Sequence, residues 1–194
     1  MLKKLDKYVI AYDCETTGLP NWKQPSGDPS QPHLVQIAAL VANTETRKVI
    51  ASIDLTVRPD GWEIPQETSD IHGITTDYAL QHGVPEAEAY AIFMSLWGGK
   101  LRIAHNRTFD QRLLRIAAKR FGTRAEQDAW ADKDSHDCTM WLSRSAMGMK
   151  KPPKLIEAYE YYTGKKLENA HSALADAQAC LDVYFALLNE GAAA

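Results

Sequence analysis

The sequence predicts an α/β fold, an antiparallel β-meander followed by β/α units. Three observations carry this expectation. The chain opens with three apolar, strand-like runs joined by polar segments. Farther on, apolar residues recur at helical spacing, interrupted by short strand-like stretches. Glycines close most of the helical stretches.

The opening runs are Tyr8 to Cys14, Leu34 to Ala42 and Val49 to Val57. The short polar connection Asn43 to Lys48 makes the last two an antiparallel hairpin. NWKQPSGDPSQPH, between the first and second runs, is a loop rich in Pro, Ser and Gly. Residues 59 to 74 read as mostly irregular, and Thr75 to His82 as a short helix closed by Gly83. Pro85 starts a helix through Trp97 that buries Ala89, Ile92, Phe93, Leu96 and Trp97 and stops at Gly98-Gly99. LRIAH, at 101 to 105, reads as a buried strand. Asn106 then caps a helix on which Phe109, Leu113, Ile116 and Ala117 keep helical spacing. A further strand is expected near Asp137 to Met140, then a helix from Trp141 to Ala146 with Gly148 as its stop. A helix from Lys154 to Thr163 ends at Gly164. The last helix runs from about Ser172 to Asn189 and buries Leu174, Leu181, Tyr184, Phe185 and Leu188.

With 194 residues, one domain is expected over 1–194, large enough to bury on the order of 70% of its unfolded surface. A hydrophobic fraction of 45% and a charged fraction of 24% exclude disordered and fibrous classes. Cys14, Cys138 and Cys180 are odd in number and form no CxxC pair, which fits a reducing, cytoplasmic setting. The start, MLKKLDKYVIAYD, has too short an apolar run for a signal peptide or a membrane span. A net charge of -3 argues against coating nucleic acid by bulk electrostatics but allows a few-nucleotide site built around cations. Lysines cluster only locally, as at Lys150, Lys151 and Lys154 and again at Lys165 and Lys166, the pattern of a solvated face, with phosphate contact the minority alternative.

DCETTG, at 13 to 18, sets two carboxylates where a core strand ends. Residues i and i+2 of a strand share a face, so Asp13 and Glu15 sit about 6.6 Å apart on one side. Two anions so close repel, unless one is protonated or a cation lies between them. Alone, the hexapeptide also fits a solvated strand end and turn. HNRTFD at 105 to 110 and HSALAD at 171 to 176 share a His-x4-Asp spacing. Five helical steps turn by about 500°, so the two residues cannot share a helical face. The spacing makes sense if each His precedes the helix. Asn106 and Ser172 are then the caps, and Asp110 and Asp176 fall in first turns, where the helix dipole favours an ionised carboxylate. Each motif singly fits ordinary capping. Together, four acids and a loop histidine form an oxygen-rich site for hard divalent cations.

DxETTGL at 13 to 19, HNxxFD at 105 to 110 and HxALxD at 171 to 176 resemble, in order and separation, the three motifs of the DEDDh-type 3′-to-5′ exonucleases. The likeness is strongest to the proofreading branch, the epsilon type of DNA polymerase III. It runs from about Leu5 to Leu188 and takes in IHGIT at 71 to 75. It implies a ribonuclease H-like fold, a mixed five-stranded sheet flanked by helices. It also implies a two-metal phosphodiesterase: Asp13, Glu15, Asp110 and Asp176 bind two Mg²⁺ or Mn²⁺ ions, and His171 is the general base, although His105 shares its spacing. Thr16, Thr17 and Leu19 match the turn that holds the 3′-terminal nucleotide. His72, His105, Asn106 and Phe109 match further substrate contacts, with local turn packing an alternative for His72. The implied partners are nucleic-acid 3′ ends, DNA before RNA, with a DNA polymerase left open and no membrane. RNA-trimming enzymes share these acids, and a catalytically silent polymerase-binding subunit would share the fold. The Pro-rich loop Pro20 to Gln31 looks longer than in the epsilon type, and the end at Ala194 suggests a free-standing enzyme.

Overall fold

The computed structural model describes residues 6–192, so Leu5, where the likeness is expected to begin, lies outside the described residues. The expected meander is present: β1 (Tyr8–Thr16), β2 (Leu34–Asn43) and β3 (Val49–Arg58) pair antiparallel in sequence. Residues 59 to 74 depart from the irregular reading, because α1 (Gln66–His72) forms there. Its N-cap is Pro65, which offers no side-chain cap bond, so the helix carries no strong start signal. Next comes α2 (Thr76–His82), whose N-cap Thr75 accepts from the Tyr78 N–H.

Among the described residues the sheet has six strands rather than the expected five. The extra one is β4 (Val84–Pro85), two residues parallel to the end of β3 and too short to show in the sequence. Gly83 makes this pairing feasible: a Cβ there would lie 2.5 Å from both the Ala79 O and the Arg58 N. The helix α3 (Glu86–Trp97), the strand β5 (Leu101–Ala104) and the helix α4 (Arg107–Phe121) follow the expected order. A further helix, α5 (Arg124–Trp130), has no counterpart in the expected elements, although the Thr123 and Glu126 capping box that starts it is a readable signal. The chain continues through β6 (His136–Cys138), α6 (Thr139–Ala146), α7 (Leu155–Thr163) and α8 (Ala173–Ala192).

Strand order is β4-β3-β2-β1-β5-β6, with β5 parallel to β1 and β6 parallel to β5. Alternation of side chains splits the core between the two sheet faces. Ile10, Tyr12, Ile37 and Val41 pack with Phe93, Trp97, Leu113, Leu114 and Trp130 on one face. Val9, Ala11, Leu40 and Ile103 pack with Leu181, Tyr184 and Leu188 of α8 on the other. The row Val9, Ala11, Asp13, Glu15 therefore runs along one face of β1, apolar under the body of α8 and acidic beyond it. Among the described residues no helix is long and apolar enough to cross a membrane.

Candidate active site

Asp13 and Glu15 lie opposite Ala38 and Gln36 of β2, on the α8 side of the sheet. Asp110 and Asp176 each occupy the fourth residue of a helix, α4 and α8 respectively. The four carboxylates lie close enough for their charges to act on one another. Burial and the charges of Asp110, Asp176 and Glu15 hold the Asp13 carboxyl well above its usual range. Burial and the charge of Asp176 push Glu15 up to about 8. Asp110, 2% exposed, is raised chiefly by burial. Its own backbone N–H and that of Cys14 oppose the shift, while Glu15 and Asp176 add to it. Asp176 is also raised by burial, partly offset by a hydrogen bond from the backbone N–H of His171 to Oδ2 at 3.2 Å.

Asp110 Oδ1 and Asp176 Oδ1 are buried and, among the described residues, have no hydrogen-bond partner. Buried acceptors normally find donors, and clustered carboxylates raise one another's pKa values, so this arrangement suits a cation-holding site. The donor set is all hard oxygen, as Mg²⁺ or Mn²⁺ requires. One ligand atom each from Glu15, His171 and Asp176 also lie within 4.8 Å of one another.

His171 is exposed, on a left-handed residue with φ 70° just before α8. Among the described residues, neither ring nitrogen takes a hydrogen-bond partner. His105 is the opposite case: its Nδ1 lies 2.9 Å from Thr139 Oγ1, and its Nε2 lies 3.1 Å from the Pro153 carbonyl. The carbonyl can only accept, so Nε2 carries the proton and Nδ1 accepts from the threonine hydroxyl. Burial lowers the His105 pKa and keeps the ring neutral. Both nitrogens are thus engaged within the protein, leaving neither free for a substrate phosphate.

The remaining expected substrate contacts divide. The Thr16 hydroxyl donates to the Gly18 carbonyl at 2.8 Å, and Thr17 Oγ1 accepts from the His33 N–H at 3.0 Å, so both threonines shape the turn itself. Leu19 is 81% exposed and available for contact. His72 Nδ1 accepts from the Ile74 N–H, the local turn packing named as its alternative. Burial lowers the His72 pKa, with the Thr16 carbonyl opposing, which places the ring beside the β1 end. Its neighbour Ile71 is 57% exposed. Asn106 sits at the N-cap of α4, but in a left-handed conformation and with no side-chain cap bond, so the expected capping is absent. Phe109 packs half-buried against the core.

Several supporting residues have no sequence signal, because their partners lie tens of residues away. Glu86, 8% exposed, accepts from His33 Nδ1 at 2.7 Å and from the Leu34 N–H at 3.0 Å, and pairs with Arg120. His33 in turn holds Thr17 through the backbone bond Thr17 N to His33 O. Gln31, 2% exposed, ties the Pro-rich loop together: its side-chain amide donates to the Asn21, Gln24 and Pro25 carbonyls. A cavity of about 430 Å³ adjoins the site, lined in part by Gln36, Asp54, His72 and Ser172.

The exonuclease model of the RNase T family matches residues 10–184. The PolC-type DNA polymerase III of Mycoplasmopsis pulmonis (strain UAB CTIP) is 28% identical over 113 residues, 58% of this chain and 7% of the polymerase. Among solved structures, E. coli exonuclease I in complex with a dT13 oligonucleotide superposes with a TM-score of 0.75 at 21% identity. That match covers 93% of this chain and 40% of the other. A zinc-bound form of E. coli exonuclease I with single-stranded DNA gives 0.77 at 21% identity over 97% and 42%. The chain thus spans about two fifths of those structures and a small fraction of the polymerase.

Proposed function

Since the chain belongs to the exonuclease family typified by RNase T, we propose that it acts as one 3′-to-5′ exonuclease domain, hydrolysing phosphodiester bonds at DNA 3′ ends and releasing nucleoside 5′-monophosphates. The observation that carries this reading is a cluster of four mutually repelling carboxylates, two of which, Glu15 and Asp176, lie beside the exposed His171. Asp13, Glu15, Asp110 and Asp176 would hold two divalent cations, Mg²⁺ or Mn²⁺, which when bound lower the pKa of water and offset phosphate charge.

The chain's own residues supply the rest. An imidazole accepts a proton from water near neutral pH, and the His171 ring, beside Glu15 and Asp176, is free to do so. The turn built by Thr16 and Thr17 presents Leu19, and the adjoining α1 end presents Ile71, as apolar surface for an unstacked terminal base. A frayed or mismatched end gives up little stacking and pairing, whereas a matched end loses a few kcal/mol on unpairing. Single-stranded and mismatched 3′ ends therefore react first. Association with a DNA polymerase is the extension that the PolC-type match supports.

The test uses end-labelled DNA and RNA oligonucleotides with matched and mismatched 3′ termini in Mg²⁺. Stepwise loss from the 3′ end, fastest on mismatched DNA and abolished by chelator, is the expected result. Internal cuts, or full activity in chelator, would refute the reading.

A further inference from the structure

Gln36 stands directly across β1 and β2 from Glu15, yet belongs to no sequence motif. Directly opposed residues of an antiparallel pair project on the same face with Cβ atoms about 5 Å apart, so Gln36 borders the carboxylate cluster. It is 8% exposed. Its Oε1 accepts from the Ala173 N–H at 3.1 Å, and its Nε2 donates to Asp54 Oδ1 at 2.7 Å. The amide orientation follows from chemistry, because the backbone N–H can only donate and a carboxylate only accepts.

Ala173 is the first residue of α8, and its N–H is one of the donors that a helix start leaves without an internal partner. Two residues before it lies His171, and three residues after it Asp176. Gln36 therefore ties β2, and through Asp54 also β3, to the segment that carries the candidate base and one metal ligand. It does so without adding a fifth negative charge beside Glu15, Asp13, Asp110 and Asp176. A carboxylate could accept the same N–H but could not donate to Asp54.

We propose that Gln36 is a positioning residue, oriented by Asp54, that fixes the start of α8 so that His171 and Asp176 face Glu15. This rests on the exonuclease reading for its kinetic consequence but not for its geometry. A displacement of about 1 Å at a reacting group can cost as much as 10²-fold in rate. Gln36→Leu should accordingly slow single-turnover cleavage about 10- to 100-fold. The affinity for a single-stranded oligonucleotide in Ca²⁺, measured by fluorescence anisotropy, should stay within about threefold, because Gln36 acts on the chemical step and not on substrate grip. In a His171→Ala background the same change should cost less than in the wild type, the remainder acting through Asp176, since residues that act as a unit are non-additive.

Asp54 gives an independent arm should Gln36→Leu fail to fold. Asp54→Ala should slow cleavage and Asp54→Asn restore it, because the asparagine carbonyl still accepts from the Gln36 amide. Wild-type rates in both Gln36→Leu and Asp54→Ala, full additivity with His171→Ala, or a loss confined to affinity would each overturn the proposal. If the wild-type protein released no nucleotide, the exonuclease reading would fail instead. Amide exchange would still decide the clasp, with protection of the Ala173 N–H lost in Gln36→Leu if the clasp exists and unchanged if it does not.

Discussion

The segments His105 to Asp110 and His171 to Asp176 share one spacing and end alike, with an aspartate at the fourth residue of a helix in the same carboxylate cluster. Their histidines part company. In the first segment the left-handed residue is Asn106, with φ 63°; in the second it is His171 itself, with φ 70°. Moving that conformation by one position decides where the imidazole goes. His105 stays in line with β5 and is sealed between Thr139 and Pro153. His171 is turned out to solvent beside Glu15 and Asp176. Equal spacing fixes where a carboxylate lands on a helix, while the position of the left-handed residue goes with whether the preceding histidine is sealed by protein groups or exposed to solvent.

The largest expected effect falls where the two segments agree. Asp110→Ala and Asp176→Ala should both reduce cleavage to background while leaving the protein folded by circular dichroism, as should Asp13→Ala and Glu15→Ala. An Asp110→Ala enzyme that retained substantial activity would break the equivalence of the two aspartates.

A smaller effect concerns the cluster's charge. Glu15 is raised from its ordinary 4.5 to about 8, and the three aspartates are raised as well. Between pH 4.5 and 8 the folded, metal-free protein holds protons that the unfolded chain has released, so stability falls as pH rises through this window. Melting temperatures in chelator should drop from about pH 5 to about pH 8.5, and Mg²⁺ or Mn²⁺ should stabilise most at the alkaline end. A chelated protein whose stability rises with pH would show that the carboxylates do not burden one another.

His105→Ala should act on stability. It strips partners from the Thr139 hydroxyl and the Pro153 carbonyl, a cost of about 1 to 3 kcal/mol by urea denaturation. The smallest effect belongs to the left-handed position itself. Asn106→Gly relieves the strain of a positive φ but loosens the unfolded chain, so stability should change by less than about 1 kcal/mol. A larger loss would mean that the Asn106 side chain has a role the hydrogen bonds do not reveal.

Much of this was legible from local chemistry. The meander shows in the apolar runs, and the carboxylates show because strand alternation and helix capping are short-range rules that Asp13, Glu15, Asp110 and Asp176 obey. What stayed hidden depends on distant partners. The engagement of His105 needs Pro153, the Gln36 clasp needs Asp54 and Ala173, and Glu86 supports the β1 turn through His33 and Leu34. The sixth strand is two residues long and exists because Gly83 lets backbones approach. The helix α5 is a different kind of miss: its capping box is local and visible in Thr123 and Glu126.

The contrast between the two histidines is tested most directly by single-turnover cleavage of a single-stranded oligonucleotide at saturating enzyme, below the melting point of every variant. His171→Ala should slow the chemical step by about 10² to 10⁴, the usual worth of a general base, and His105→Ala should leave it within about threefold of wild type, because its ring touches only protein groups. A His105→Ala enzyme with the slower chemistry, or two variants equally impaired, would contradict the assignment of the base to His171.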